Sequence, residues 1–271
     1  DPISRCMNKS FVSATKLDER EHILKLLDHR VRIIPLIGDD GHLLNVITKQ
    51  SFPLEPESQI VARARAPVRI SFGGGGTDLT HYYWEKGGAV INATVALYSR
   101  ALLRKRNDMR VKIRSADLSI EASAEDIEAF CQTPEKLGLI ASLLHLISPR
   151  FGFDLEITSD FPVGSGLGGS SVVLAAIIGC FNEFRMDRWD RYEMAEMAFQ
   201  AERLHLNMAG GWQDQYATVF GGFNFIEFDS RQNVVHPIRL DSAVECELEE
   251  SLILCHTGQG HESGEIHAEQ N

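Results

Sequence analysis

Residues 162–171 read Pro-Val-Gly-Ser-Gly-Leu-Gly-Gly-Ser-Ser, a glycine-rich loop between a predicted strand and a predicted helix. The strand is indicated by Phe153, Leu155 and Ile157, which alternate with polar residues. The helix is indicated by a proline-free apolar run from Ser170 to Phe184 that begins with hydroxyl residues. At such a junction the backbone N–H groups and the helix dipole both favour a bound anion. We therefore expect this loop to bind the phosphates of a nucleoside triphosphate.

Two other glycine motifs fit the loop less well. Gly164, Gly166 and Gly169 satisfy G-x-G-x-x-G, but the dinucleotide fold needs a further strand after the helix, whereas Arg188 to His205 looks helical. Gly164 and Gly169 also fit the Walker spacing, but Ser170 stands where that motif has its lysine. A glycine-rich helix entry without a ligand is the remaining alternative, although four glycines carry an entropy cost that packing alone rarely explains.

The pattern Pro-x-Gly-x-Gly-Leu-Gly-x-Ser-Ser resembles the second motif of the GHMP kinases, the superfamily of galactokinase, homoserine kinase, mevalonate kinase and phosphomevalonate kinase. Two further segments agree in the right order. Residues 65–78, Arg-Ala-Pro-Val-Arg-Ile-Ser-Phe-Gly-Gly-Gly-Gly-Thr-Asp, resemble the first motif, and residues 210–216, Gly-Gly-Trp-Gln-Asp-Gln-Tyr, resemble the segment with the catalytic aspartate. Together they most resemble the branch containing D-glycero-D-manno-heptose 7-phosphate kinase.

The order of predicted elements, with strands and helices interspersed without regular βαβ repeats, predicts an α+β fold. The resemblance implies an N-terminal lobe like ribosomal protein S5 domain 2. The predicted strands are 60–72, 90–106 (one or two strands), 111–120, 153–158, 222–228, 234–238 and 251–256, and the predicted helices are 124–130, 134–147, 170–184 and 194–205.

Phosphoryl transfer needs cradled phosphates, a bridging metal ion and a group that receives the proton of the attacking hydroxyl. The resemblance implies that ATP is held by Pro162, Gly164, Ser165, Gly166, Leu167, Gly168, Gly169, Ser170 and Ser171. It also implies that Ser170, with Ser171 as the alternative, and Glu202 hold Mg²⁺, a cation that prefers oxygen ligands. A solvated helical acid beside Arg203 is the alternative interpretation of Glu202.

The resemblance further implies that Asp214 is the catalytic base and that Arg69 stabilises both this carboxylate and the developing phosphate charge. It places the sugar at Gly74, Gly75, Thr77 and Asp78. The galactokinase pattern has an acid at the position of Gly75, so galactose itself is not the expected sugar. Trp212 fits either a core position or a pocket wall.

Composition is that of an ordinary globular protein, with 44% hydrophobic and 24% charged residues. A formal net charge of −11 argues against a general nucleic-acid binder or a binder of anionic membranes. The longest apolar stretch is too short to cross a bilayer. Five scattered cysteines without a C-x-x-C pair predict reduced thiols in a cytoplasmic protein. Near the C-terminus lie four residues of the kinds that bind zinc, Cys255, His256, His261 and His267. Their spacing matches no standard zinc site.

Residues 1–52 form a predicted separate module, joined by a linker over 53–60. A helix over Glu19–His29, a strand over Val31–Ile37 and a turn into a second strand resemble one CBS motif, the adenosine-ligand module named after cystathionine β-synthase. Such motifs work in pairs. We therefore expect either a homo-oligomer formed through this module or further sequence before the first residue.

Residues 61–271 are the predicted GHMP kinase domain, and the third glycine-rich motif of that superfamily does not follow Gly264. We expect most of the C-terminal lobe to lie outside the chain, and the chain ending at Asn271 to have little activity. The expected function is an ATP-dependent sugar or sugar-phosphate kinase that acts on a hydroxyl, the anomeric one if the heptose-type resemblance holds. The alternative is a non-catalytic CBS-type adenosine-ligand sensor fused to a kinase remnant.

Overall fold

The structure is a computed structural model, and it describes residues 11–15, 18, 23, 27, 31–48, 60–132, 137–162, 164–206, 208–253 and 255. The chain divides into two compact units, Asp1–Ser58 and Gln59–Asn271.

The first unit contains an antiparallel hairpin of β1 (Ile33–Ile37) and β2 (Leu43–Thr48). Both strands and the turn between them are confirmed. Five apolar residues from separate segments form its small core: Ala14, Ile23, Leu27, Ile34 and Ile47. Of the predicted helix over 19–29 only Ile23 and Leu27 are described, and both are helical. The rest of that helix and nearly all of the 53–60 linker lie outside the described residues. The CBS-like assignment stays a prediction.

The second unit is built on a seven-stranded mixed sheet of order β6-β5-β7-β4-β8-β9, with β3 paired to β4. The strands are β3 (Val61–Gly73), β4 (Gly88–Lys105), β5 (Val111–Ser115), β6 (Ile120–Ala124), β7 (Phe153–Ser159), β8 (Phe223–Phe228) and β9 (Asn233–Ile238). Strand β4 is 18 residues long and organises the sheet. The C-terminal half of β4 pairs with β7, and its N-terminal half pairs with β8. Strand β3 runs antiparallel to β4 along most of its length.

The helices of the second unit are α1 (Thr80–Lys86), α2 (Ile127–Cys131), α3 (Gly138–Ile147), α4 (Gly169–Glu183), α5 (Arg191–Phe199), α6 (Gln213–Phe220) and α7 (Ser242–Ser251), with a π-helical turn over Gln200–His205. Helix α4 is apolar along most of its length and packs against β3 and β4 in the main core. Helix α5 begins at a capping box formed by Asp190 and Glu193. The predicted mixture of helices and strands is confirmed.

Two predicted strands are wrong, and one predicted helix begins later than expected. The strand over 111–120 is two strands, because a turn with Ser119 at φ 51° separates β5 from β6. Strand β6 then occupies the start of the helix predicted over 124–130, and the helix begins only at Ile127, where Asp126 accepts a hydrogen bond from Ala129 N at 2.8 Å. The final strand, predicted over 251–256, is not present in the described residues of that range. Ser251 ends α7, and residues 252, 253 and 255 are irregular.

Candidate active site

An ion pair joins the first motif, residues 65–78, to the segment 210–216. Arg69, on β3, donates from Nε to Oδ1 of Asp214 at 2.6 Å, and its Nη2 also lies 2.6 Å from the same oxygen. Asp214 lies in the first turn of α6. The two side chains are 17% and 22% exposed, so the pair is sheltered but open to a ligand. Because Arg69 occupies Oδ1, the second carboxylate oxygen of Asp214 remains available to accept a proton.

The glycine loop lies against this carboxylate. Gly164, Gly166 and Gly168 have φ values of 76°, 71° and 75°, a left-handed conformation that favours glycine. A Cβ added to Gly168 would lie 3.1 Å from Cγ of Asp214, whereas one on Gly166 would meet nothing within 4 Å. The loop therefore lies close to Asp214 at Gly168 and borders open space at Gly166.

Helix α4 begins where the loop ends. Its N-cap, Gly168, offers no side-chain hydrogen bond, and its first turn contains no acidic residue. The first N–H groups of a helix lack intrahelical partners, and the helix dipole adds partial positive charge at the same end. This end of the loop can therefore bind an anion such as phosphate.

Glu202 is completely buried, so its interpretation as a solvated acid is wrong. Its Oε2 accepts a hydrogen bond from Ser171 Oγ at 2.7 Å and another from Gln215 Nε2. Its Oε1 has no hydrogen-bond partner among the described residues. Of the two predicted serines, the structure thus brings Ser171 to Glu202, while Ser170 is only partly buried. An unpartnered buried carboxylate oxygen is a position that a cation would fit.

The π-helical turn over Gln200–His205 places Glu202 in this position. Two consecutive residues, Ala201 and Glu202, are both fully buried, and Ser142 Oγ of α3 donates to Ala201 O at 2.7 Å. A π turn widens the helix and changes the direction in which its side chains point, and such turns occur often at functional sites. The sequence pattern predicted a plain helix through this segment.

Asp78 is buried, and both of its oxygens accept backbone hydrogen bonds. Oδ1 accepts from Gly76 N and Oδ2 from Gln213 N, each at 3.0 Å. Thr77 Oγ1 lies 2.7 Å from Gly74 O and accepts from Ala89 N at 3.0 Å. The observed role of Asp78 is to hold the loop after β3 against the start of α6. Its contact with a sugar, like those of Gly74, Gly75 and Thr77, stays a prediction.

Two further polar residues of the site were not assigned from the sequence. Gln213 is 5% exposed and donates from Nε2 to Ser71 Oγ at 2.8 Å, a second bridge between α6 and β3 beside the Arg69–Asp214 pair. Gln215 is fully buried against Glu202. Both glutamines flank Asp214 in the segment 210–216, but a sequence motif alone does not indicate which of its residues are buried.

Trp212 has a structural role at the start of α6. Its ring stacks on Phe199 with centroids 3.5 Å apart and planes 6° from parallel, and its Nε1 donates to Thr80 Oγ1 at 3.3 Å.

Burial raises the pKa of Tyr216, on the same helix, to about 12 despite a hydrogen bond from Asn233. The phenol therefore stays neutral at physiological pH.

The described residues also bear on the predictions about a zinc site, the cysteines and a membrane span. The described residues contain no group of three or more His, Cys, Asp or Glu side chains able to hold a metal. Cys255 is exposed, and the C-terminal histidines of the considered zinc site lie outside the described residues. Desolvation raises the pKa of Cys180 to about 12, so this thiol is unreactive. No described helix has the length and apolar character that a membrane span requires.

Gly74→Ala is expected to destabilise the protein more than Gly76→Ala. Both glycines have positive φ, 82° and 90°, so each substitution costs about 1–2 kcal/mol in backbone strain. A Cβ on Gly74 would also overlap the carbonyl oxygen of Ala89, whereas one on Gly76 would meet nothing within 4 Å. The overlap adds about 1–3 kcal/mol. Thermal unfolding of the two variants measures this difference, and equal melting temperatures would contradict the close packing of Gly74 on β4.

Comparison with known proteins supports the interpretation of these motifs. Residues 127–222 match the family described as GHMP kinases N terminal domain. The D-glycero-alpha-D-manno-heptose 7-phosphate kinase of Campylobacter jejuni is 37% identical over 210 residues, which are 75% of this chain and 62% of that protein. The L-fucokinase/L-fucose-1-P guanylyltransferase of Bacteroides fragilis is 27% identical over 70% of this chain and 23% of its own length.

A solved structure agrees. The crystal structure of a D-glycero-D-manno-heptose 1-phosphate kinase from Bacteroides thetaiotaomicron matches with a TM-score of 0.64 and 32% identity, over 70% of this chain and 64% of that one. The chain thus spans less than two thirds of the length of these relatives. The chain shares the fold of this structure over the matched part. The matched family model and these relatives therefore support the assignment of residues 127–222 to the N-terminal domain of the GHMP kinases.

Proposed function

We propose that this protein is an ATP-dependent kinase that transfers a phosphoryl group to a hydroxyl of a sugar phosphate of the heptose type. The observation that carries the proposal is the close approach of Asp214, which is paired with Arg69, to Gly168 of the glycine loop. A proton acceptor and a phosphate-binding loop are thereby adjacent, as phosphoryl transfer requires. Relatives named heptose phosphate kinase and fucokinase support a sugar-phosphate substrate. The non-catalytic sensor is not favoured, because these relatives are kinases.

Each group of residues at the site has a separate role in the proposed reaction. Backbone N–H groups from Gly164 to Ser171 bind the nucleotide phosphates. Arg69 fixes one oxygen of Asp214, and the other oxygen accepts the proton of the sugar hydroxyl as it attacks the γ-phosphorus. The bond from the γ-phosphorus to the β,γ-bridging oxygen breaks, and ADP leaves. The loop of Gly74, Gly75, Thr77 and Asp78 lines the sugar site. We further propose that the anomeric hydroxyl is the acceptor, as in the heptose-type resemblance.

The residues present also fit Mg²⁺. Glu202 Oε1 is a buried oxygen that no described residue hydrogen-bonds, and Ser171 lies beside Glu202 at the start of α4. Glu202 would hold the cation, with Ser171 or Ser170 as the hydroxyl group. When bound, Mg²⁺ neutralises charge on the transferring phosphates. The cytoplasmic location and a homo-oligomer formed through the first unit belong to the proposal as well.

Gly166→Leu is expected to lower the affinity for Mg·ATP at least about tenfold while the protein still folds. A Cβ at Gly166 would meet nothing within 4 Å among the described residues, so a leucine side chain can extend into the space that we assign to the phosphates. Isothermal titration calorimetry measures the loss. Gly222→Leu is the matched control, because Gly222 has a similar φ of 74° and equally open surroundings at the start of β8. Nucleotide binding unchanged by Gly166→Leu would show that this loop is not the phosphate site.

A further inference from the structure

Gln215, Glu202 and Ser171 form a fully buried polar cluster with too few hydrogen-bond donors. The hydroxyl of Ser171 and the amide N–H of Gln215 are both donated to one oxygen, Glu202 Oε2. Within the part of the chain that the structure describes, Glu202 Oε1 and Gln215 Oε1 are left without a hydrogen-bond partner. All three side chains are 0% exposed. The cluster therefore contains two bare acceptor oxygens in a place that bulk water does not reach, an arrangement that is costly unless something fills it.

Charge favours a cation over a water molecule as the occupant. A buried carboxylate normally needs a positive partner, and no ion pair joins Glu202 to a cation among the described residues. The adjacent Arg203 forms no ion pair with Glu202: its Nη1 donates to Ala209 O at 2.9 Å, and its buried Nε has no hydrogen-bond partner among the described residues. Ser171 stands in the first turn of α4, directly after the loop assigned to the phosphates. A cation bound at this cluster would lie beside the anion that it accompanies.

We infer that Gln215 is a positioning residue for the divalent cation, an inference that rests on the proposed function. Its amide N–H, together with Ser171, holds Glu202 Oε2 and so leaves Oε1 as the oxygen that meets the cation. Its own Oε1 accepts a hydrogen bond from a water of the cation, since Mg²⁺ keeps several waters when bound. Partners that orient a ligand in this way typically change metal affinity 10- to 100-fold when removed.

The test uses Mn²⁺ as the probe with a non-hydrolysable ATP analogue, and electron paramagnetic resonance counts free Mn²⁺. Gln215→Leu keeps the size of the side chain but removes both polar atoms. We expect a loss of about 10- to 100-fold in Mn²⁺ affinity, with affinity for the metal-free nucleotide nearly unchanged. In Mg²⁺-dependent turnover by the full-length protein, excess Mg²⁺ should restore much of the rate. Adding Gln215→Leu to Glu202→Gln should cost little more, because Gln215 acts through Glu202.

Thr218→Val is the matched control for disturbance of α6. Thr218 is also buried on this helix, but its hydroxyl donates to Pro67 O at 2.8 Å and does not contact the cluster. It should lower the melting temperature without changing Mn²⁺ affinity. Equal Mn²⁺ affinities of Gln215→Leu and the parent would overturn the inference and leave the proposed function standing.

A second variant with the opposite sign keeps the test decisive if Gln215→Leu does not fold. Gln215→Glu places two carboxylates in contact, so the metal-free variant should melt well below the parent, and millimolar Mn²⁺ should recover most of the loss. If the occupant is only a buried water, Mn²⁺ will not raise the melting temperature of this variant, and the inference is wrong. Failure of the parent itself to bind Mn²⁺ with the nucleotide analogue would count against the proposed function as well.

Discussion

Asp214→Asn is expected to lower kcat by about 10²–10⁴-fold, the usual contribution of a positioned general base. The amide oxygen can still accept the hydrogen bond that Arg69 Nε gives at 2.6 Å, so the start of α6 should keep its position. An amide cannot take up the proton of the attacking hydroxyl. Nucleotide affinity and melting temperature should therefore change little while turnover collapses. A coupled ADP-release assay with the full-length protein, heptose 7-phosphate and Mg·ATP measures the effect.

Two comparisons make this result specific. Glu128→Gln removes one negative charge from an exposed position on α2 and should turn over at the parental rate. Asp214→Ala should lose as much activity as Asp214→Asn, because both lack a base. Parental turnover by the Asp214→Asn variant would assign the proton transfer to another group, and Asp214 would then be only the partner of Arg69.

The elements around the glycine loop were predictable from local patterns. Strand β7 has strict alternation, and α4 has a long apolar run, so period and length both indicated the right element. The register of the site was not predictable. Helix α4 starts at Gly169, and this start places Ser171 rather than Ser170 in the core beside Glu202. A shift of one residue turns a helical side chain by about 100°, which is finer than a motif can specify.

The errors share a tertiary cause. The buried state of Gln213 and Gln215 depends on β3 and the π-helical turn, which lie on different sides of the first turn of α6. Two positions only two residues apart do not share one face of a helix, so periodicity does not mark both as buried. In the same way, Leu252 and Ile253 formed a plausible apolar strand, but they are 47% and 89% exposed and have no strand partner in the described part of the chain.

Gly168→Ala is expected to reduce kcat by about 10- to 100-fold more than Gly166→Ala does. Both substitutions place an alanine at a φ near 70°, 75° and 71°, and so carry the same strain of about 1–2 kcal/mol. They differ in their neighbours. The new methyl group at Gly168 would lie 3.1 Å from Cγ of Asp214, tight enough that the carboxylate or the loop must shift, whereas at Gly166 it meets nothing within 4 Å.

The difference between the two alanine variants therefore isolates the contact between the loop and Asp214 from the strain of the loop itself. A displacement of about 1 Å in a reacting group can cost about 10²-fold in rate, which sets the upper end of the expected loss. Both variants should weaken Mg·ATP binding by similar factors, measured by calorimetry, and only Gly168→Ala should add the loss in kcat. If the two variants had the same kcat, the separation of Asp214 from the loop would have no influence on the chemical step, and the contact would serve packing alone.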